Sequence, residues 1–246
     1  MGISSDGAVA VVSIDNAFGA SSFGVDLAAR RIAWTAPDFK AAAVAGDTAV
    51  GPTTGSGAQG LGPSMLRGLA AATGVQRWSA ADSGHVQVAG ANLVAVAGKV
   101  YASGKSFFRL LAGDSGRQVQ SADASFENFP QCRWDERDVT VCFTAGFGDR
   151  AFGIDSNTAR LLWQLPDQGG TRVAPQVITA AWHGAVYGET GNGSVVLDGR
   201  TGADRSADPG ASPQLVNEYF GVGVPPGKKT DRVQVRRDLF LYPASG

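Results

Sequence analysis

Two cysteines are the residues whose types and spacing most directly suggest chemistry. Cys132 and Cys142 lie ten residues apart, and a β-branched run, Val139 to Val141, leads into the second. In a hairpin centred on Arg137 the two sulfurs lie directly across from each other. The spacing therefore predicts a disulfide, which would place the protein outside the cytoplasm. The alternative is two buried free thiols in a cytoplasmic protein, because cysteine packs as a small hydrophobe.

Other patterns that could hold a nucleotide or a metal are weak. Residues Gly55 to Gly60 match G-x-G-x-x-G, but Pro63 follows closely and no βαβ unit surrounds them, so a loop is predicted. The two histidines, His85 and His183, have no ligand spacing with cysteine or carboxylate residues. We predict no metal site and no catalytic residue, although a Ser/His/Asp triad assembled in space is compatible with the sequence.

Two charged clusters could contact partners. Asp135, Glu136 and Asp138 form the acidic tip of the predicted hairpin, which could be a contact surface, beside Trp134, which is expected to be exposed. A basic cluster near the C-terminus reads as a loop that runs into a strand with a solvated face, or alternatively as a site for an anionic partner. Its members are Lys228, Lys229, Arg232, Arg236 and Arg237.

Composition narrows the class of protein that must position these residues. Among 246 residues, 21 basic and 22 acidic side chains give a net charge of −1, so no global field attracts nucleic acid or an anionic membrane. No apolar run reaches the 18 or more residues of a membrane helix, and Met1 to Gly7 has no features of a secretory signal. The 34 glycines and 11 prolines favour many short strands joined by turns.

An internal repeat of about 43 residues runs through the chain. Five segments align without gaps: Gly24–Trp34, Gly68–Trp78, Leu110–Gln120, Gly153–Trp163 and Val196–Ser206, and Leu241–Gly246 begins a sixth. The seventh position of the unit falls at Arg30, Gly74, Gly116, Ala159, Gly202 and Gly246. A Gly-x-Val-Tyr sequence occurs twice in the same phase, starting at Gly98 and Gly184, which are two repeats apart. Two landmarks on one period indicate a repeat architecture.

Each unit has the pattern of a strand, a tight turn and a second strand that ends near tryptophan. Glycine at the turn supplies the positive φ that such a hairpin requires. Residues Ser64 to Ala72 resemble a helix when taken alone, but the aligned segments are short and β-like, and repeats that stack share one structure. Four strands in about 43 residues is typical of a β-propeller blade.

The unit x-Ala/Leu-Asp-x-x-Thr-Gly-x-x-x-Trp, preceded by Gly-x-Val-Tyr, resembles the repeat of PQQ-like (quinoprotein-type) β-propellers. The resemblance covers essentially the whole chain and implies that Trp34, Trp78 and Trp163 pack between neighbouring blades. The third and fifth repeats carry Gln120 and Ser206 instead. We therefore predict an all-β, single-domain propeller, residues 1–246, of about six four-stranded blades with incomplete first and last blades.

The resemblance includes quinone-dependent alcohol dehydrogenases as well as bacterial envelope propellers. Those enzymes carry adjacent cysteines, which this chain lacks, so no quinone cofactor and no dehydrogenase activity are predicted. We expect a non-catalytic binding or scaffold module on a propeller face, in the bacterial cell envelope: a secreted protein or lipoprotein, or the extracellular sensor part of a membrane receptor or kinase. The alternatives are an enzyme of unrecognised type with a site built from loops, and an envelope protein-assembly factor. The expected partner is an unidentified protein or small molecule. We expect no binding of nucleic acid and no insertion of this chain into a membrane.

Overall fold

The residues that this computed structural model describes form short antiparallel strands joined by turns, with no helix among them. They are residues 2–16, 19–53, 65–81, 84–100, 103–122, 129–144, 150–167, 169, 172–206, 212–223 and 240–243. Within these ranges 23 strands form six sheets that follow one another along the chain. The all-β class predicted from the composition and the repeat is confirmed.

The chain forms two compact units, Met1–Phe129 and Pro130–Gly246, and the first holds blades 1 to 3. Blade 1 comprises β1 (Gly2–Ile3), β2 (Val9–Asn16), β3 (Gly19–Asp26) and β4 (Arg31–Pro37). Blade 2 comprises β5 (Ala43–Ala45), β6 (Thr48–Pro52), β7 (Leu66–Ala70) and β8 (Gln76–Ala80). Blade 3 comprises β9 (His85–Val88), β10 (Leu93–Lys99), β11 (Ser106–Ala112) and β12 (Gln118–Ala122).

The second unit holds blades 4 to 6. Blade 4 comprises β13 (Gln131–Trp134), β14 (Val139–Thr144), β15 (Arg150–Asp155) and β16 (Leu161–Leu165). Blade 5 comprises β17 (Val177–Trp182), β18 (Ala185–Thr190), β19 (Gly193–Asp198) and β20 (Asp204–Ser206). Blade 6 comprises β21 (Pro213–Val216), β22 (Phe220–Gly223) and β23 (Phe240–Pro243). In every blade the strands pair in chain order, each antiparallel to the next.

The two end blades and the helix-like segment Ser64 to Ala72 are the places where the sequence departs from a uniform repeat. Blade 1 has four strands despite its short N-terminal segment because β1 is reduced to two residues. Blade 6 shows three strands within the described residues. Residues 66–70, inside the segment that resembles a helix, form β7, so the repeat correctly overrides local helix propensity.

Burial is greatest in the second strand of blades 2 to 5. All six residues of β14 are buried, as are the first six of β10, whereas the fourth strand β4 buries only Trp34. A strand buried on both faces is continuously apolar, while a strand with one solvated face alternates. Within each unit the core therefore lies between successive sheets, along their second and third strands.

The turn between the third and fourth strands has the same backbone conformation in blades 1 to 5. The repeat position at this turn has φ of 51° at Arg30, 71° at Gly74, 67° at Gly116, 60° at Ala159 and 68° at Gly202. Gly246, the sixth member, lies outside the described residues. All five values are left-handed, so the sequence alignment marks one structural position even where glycine is absent.

Trp34 packs between its own blade and the next one. On one side its indole covers Gly24, its cross-strand partner, and on the other it lies against the turn residue Gly74 of blade 2. A Cβ at either glycine would overlap the indole, so both positions require a bare backbone. The indole Nε1 donates to the Ala71 carbonyl of blade 2 at 2.7 Å. One side chain thus supplies both apolar contact and a hydrogen bond between blades.

The same arrangement recurs twice. Trp78 lies between Gly68 and Gly116 and donates to the Gly113 carbonyl at 2.8 Å. Trp163 lies between Gly153 and Gly202 and donates to the Gly199 carbonyl at 2.6 Å. Trp34 and Trp78 are buried, but Trp163 differs from the expectation by being half-buried, because a cavity of about 480 Å³ opens beside it.

Substituting Gly116 by alanine tests the packing of Trp78. Gly116 and Gly104 have nearly equal φ, 67° and 65°, but a Cβ at Gly116 would lie 2.5 Å from the indole, whereas a Cβ at Gly104 meets nothing within 4 Å. Both substitutions incur the left-handed strain of about 1 kcal/mol. Gly116→Ala is expected to cost a further 1 to 3 kcal/mol, roughly, through overpacking. Urea denaturation of the two variants measures the difference, and equal costs would contradict the contact.

Candidate binding site

The β13–β14 hairpin carries the predicted disulfide. Cys132 and Cys142 are cross-strand partners in the ladder, and the structure joins their sulfurs. Both residues are buried, so the bond lies inside blade 4. Its two strands are the first of the second unit in chain order. The turn between them lies at one end of blade 4.

We expect the unreduced, denatured protein to contain no titratable thiol and the reduced protein to contain two. Because the bond closes a short loop, its loss is expected to lower the free energy of unfolding by about 3 kcal/mol in the chain-entropy model. Thiol titration in denaturant, with and without reductant, measures the first expectation. Two thiols without reductant would contradict the pairing, and Cys132→Ser/Cys142→Ser supplies the stability comparison.

Asp135 is buried, which corrects the interpretation of this residue as part of a contact surface. Its Oδ1 accepts the backbone N–H groups of Arg137, Asp138 and Val139 at 2.9 to 3.0 Å. Its Oδ2 accepts the N–H of Gly184 in blade 5 at 2.9 Å. The carboxylate therefore closes the hairpin turn and connects blade 4 to blade 5.

The other members of the acidic tip have separate surroundings. Asp138 is ion-paired with Arg200 of blade 5 at 2.7 Å, so its charge is already neutralised by a neighbour. Glu136 is exposed and has a left-handed φ of 61°. Trp134, which was expected to be exposed, is half-buried, and its indole Nε1 is buried without a hydrogen-bond partner among the described residues. The tip thus connects blade 4 to blade 5, and Glu136 is the one of its three acidic residues that is exposed.

A groove of about 550 Å³ lies beside this hairpin, within the second unit. It is lined by Arg133, Trp134 and Glu136 of blade 4, residues 177–181 of blade 5 and residues 214–216 of blade 6. These residues come from the first strands of three successive blades or from the turn that follows one of them. The volume falls in the range of about 300 to 1,000 Å³ that small-ligand sites usually occupy. We call this feature the groove.

The groove combines apolar surface with opposite charges. Leu215 is 70% exposed and Val177 is 39% exposed, so both offer apolar surface to the groove. Arg133 and Glu136 are also exposed, so a cation and an anion share its wall. Convergent polar groups around apolar surface are typical of a binding site.

The histidines do not contribute to the groove. His183 is exposed in the β17–β18 turn with φ of 42°, and its ring stacks on Trp182 at 4.2 Å between centroids. His85 begins β9 in the first unit and is exposed. Within the described ranges, His, Cys, Asp and Glu side chains form no group of three or more that could hold a metal. Residues 54–60 and 224–239, which include the glycine-rich motif and the basic cluster, lie outside the described residues.

Turn carboxylates of blades 4 and 5 have perturbed acidity. Burial, the largest single influence, raises the pKa of Asp155, but hydrogen bonds from Thr158 and Asn157 and the charge of Arg200 together hold this pKa below its ordinary value of 3.8. Burial likewise raises the pKa of Asp198, and hydrogen bonds from Arg205 and Thr201 outweigh it. Both carboxylates are stabilised in the charged form by the folded turn.

We expect the protein to lose stability in acid partly through these two residues. A pKa that is lower in the folded state contributes stability above the unfolded pKa, and that stability is lost as the pH falls through the folded pKa. Asp155→Asn/Asp198→Asn should therefore lose less stability than wild type between pH 6 and pH 3. Urea denaturation at the two pH values measures this, with the exposed Asp114→Asn as a control. An equal loss in both proteins would contradict the expectation.

Comparison with solved structures shows the fold. BamB from Moraxella catarrhalis is 16% identical, with a TM-score of 0.52 over 98% of this chain and 78% of BamB. A complex of KlAtg21 with the coiled-coil of AgAtg16 gives 10% identity and a TM-score of 0.53 over 91% of this chain and 76% of the other. The uncharacterized protein lmo1340 from Listeria monocytogenes EGD-e gives 14% identity and a TM-score of 0.50, over 78% and 60%.

Comparisons by sequence find no relative of this chain. No protein-family model matches the chain, and no curated protein matches it. At such low identity the structural likeness concerns the fold alone, which is that of a β-propeller. Membership of the PQQ-like repeat family stays a prediction from the repeat. The part of the chain that the structure describes contains no helix long and apolar enough to cross a membrane.

Proposed function

We propose that this chain is a non-catalytic binding propeller that works outside the cytoplasm and holds its partner in the groove. The observation that carries the proposal is the groove itself, where exposed Leu215 and Val177 lie with Arg133 and Glu136. Three of these four residues belong to strands whose positions the blade packing holds. A rigid wall of mixed apolar and charged character suits recognition, because little conformational entropy is lost on binding.

The proposed compartment rests on the Cys132–Cys142 bond. Disulfides persist in oxidising compartments and are rare in the cytosol, where thiols are kept reduced. The bond lies in the same hairpin as Arg133, Trp134 and Glu136, so the disulfide also constrains the part of the groove that these residues line. A sensor module and an assembly factor of the cell envelope are both forms of this proposal, and they differ in whether the groove takes a small ligand or a protein segment.

The test identifies the protein or small molecule that binds in the groove in the organism that encodes the protein. A photo-crosslinking amino acid is placed at Leu215 and, as a control, at Val75, which is 64% exposed in the first unit. Native mass spectrometry of the purified wild-type protein detects bound small molecules in parallel. We expect one reproducible adduct or ligand at the groove, lost when Val177→Glu is added and absent at Val75.

Three outcomes would contradict the proposal. They are equal adducts at both positions, no bound species in the wild-type protein, and turnover of the bound species by the purified protein. The last outcome would favour the alternative of an enzyme with a site of unrecognised type.

A further inference from the structure

Strand β17 presents its edge to the groove. Five consecutive residues, 177–181, line it, including Ile178 and Ala180, whose side chains are buried in the blade. Successive side chains of a strand point to opposite faces, so a surface that contacts both sets runs along the backbone edge. β17 is the terminal strand of its sheet, paired with β18 on one side and with no described strand on the other.

Two of the strands that line the groove contain a β-bulge. The pairing of β17 with β18 shifts register between Ile178 and Ala180, which leaves Thr179 without a ladder partner. The pairing of β21 with β22 shifts between Pro213 and Leu215, which leaves Gln214 in the same position. Both extra residues line the groove, whereas no register shift occurs where β5, β9 and β13 pair with their second strands. Bulges turn backbone groups and side chains out of the ladder and are common beside binding sites.

The side chains along the edge alternate in a way that suits a second strand. Thr179 and Ala181 are small and half-buried, so an added backbone can approach them closely, and exposed Val177 offers apolar contact at one end. Leu215 of blade 6 offers further apolar contact, and Arg133 of blade 4 offers a positive charge. The five residues span about 16 Å at the usual rise of a strand.

We propose that the groove binds an extended peptide segment of a partner protein, which pairs through its main chain with the free edge of β17. This inference rests on the proposed function and names the occupant. Strand addition derives affinity from main-chain hydrogen bonds and specificity from pockets for alternate side chains, and the edge and its flanks supply both. An apolar side chain of the segment contacts Val177 and Leu215, and an acidic side chain pairs with Arg133.

The experiment selects hexapeptides from a displayed random library against the oxidised full-length chain. The selected peptides are expected to share an apolar and an acidic residue at a fixed spacing. Arg133→Glu is expected to weaken a selected peptide at least tenfold by fluorescence anisotropy, as is Leu215→Glu. The matched controls are Arg137→Glu, an exposed arginine of the same hairpin outside the groove, and Val75→Glu, and both are expected to leave affinity unchanged.

Methylating each peptide amide in turn tests the main-chain pairing. Every second N–H of an added strand faces the edge of its neighbour, so affinity is expected to fall at least tenfold at alternate positions only. Uniform tolerance of methylation would overturn the strand inference. Absence of any selected peptide would also overturn it, and the proposed function would stand if the groove still retains a small molecule. Peptides that bind equally to the Leu215→Glu variant would count against both.

Discussion

Trp78→Ala is expected to lower the free energy of unfolding by about 3 to 5 kcal/mol, the usual cost of truncating a large buried aromatic side chain. The loss has two sources. Removal of the indole leaves a cavity between Gly68 and Gly116, so the contact of blade 2 with blade 3 is lost there. The Gly113 carbonyl also loses its hydrogen bond. Urea denaturation followed by circular dichroism measures the change.

Trp134→Ala provides the comparison for this result. Trp134 is half-buried and its indole nitrogen has no hydrogen-bond partner in the described part of the chain, so its truncation removes less apolar burial and no hydrogen bond. We expect a smaller cost than for Trp78, with half-buried Trp163 between the two. Equal costs for Trp78→Ala and Trp134→Ala would count against the repeat alignment.

Asp135→Ala is expected to destabilise the second unit by at least about 3 kcal/mol. The substitution leaves four backbone N–H groups without their acceptor, one in a buried hydrogen bond and three in partly buried ones. A buried donor left unsatisfied costs about 1 to 3 kcal/mol, and the partly buried donors add smaller costs. Amide hydrogen exchange at Val139 and Gly184 should accelerate together, because one carboxylate protects both. Chemical denaturation gives the overall change.

Asp135→Asn separates the two roles of this side chain. Its amide oxygen can still accept the three N–H groups of the hairpin turn, but its NH2 group then faces the N–H of Gly184. We expect a smaller loss than for alanine, with faster exchange at Gly184 but not at Val139. Asp138→Ala, which breaks an exposed ion pair, should cost no more than about 1 kcal/mol. A cost for Asp135→Ala as small as that would show that the buried carboxylate is dispensable.

Much of the fold could be predicted because one physical unit is repeated. The turn at Gly74, Gly116 and Gly202 requires a left-handed residue, and the indole packed against it leaves no room for a Cβ. Both requirements favour glycine, which makes the position recognisable in the sequence. Arg30 and Ala159 adopt the same φ without being glycine, and only the register of the repeat identifies them. Helix propensity around residues 66–70 was misleading by itself, because contacts between blades decide the conformation there.

The candidate site was largely invisible in the sequence. The lining of the groove includes two bulge residues, Thr179 and Gln214, and the repeat alignment marks neither of them. The position of Asp135 at the acidic tip of a predicted hairpin indicates a contact surface, yet the backbone N–H groups of its neighbours donate hydrogen bonds that allow it to be buried. One available signal was the hairpin itself, since an Asp at the start of a tight turn often accepts backbone N–H groups two or three residues ahead.

The tryptophan contacts between blades run in one direction along the chain. Each indole comes from the fourth strand of one blade and donates to a carbonyl of the next, 35 to 37 residues downstream. During synthesis at about 5 to 20 residues per second, a finished blade therefore waits about 2 to 7 s before its tryptophan finds a partner. In that interval the indole is an exposed apolar surface at the growing end of the nascent chain, where a chaperone that binds such surfaces would have time to engage it.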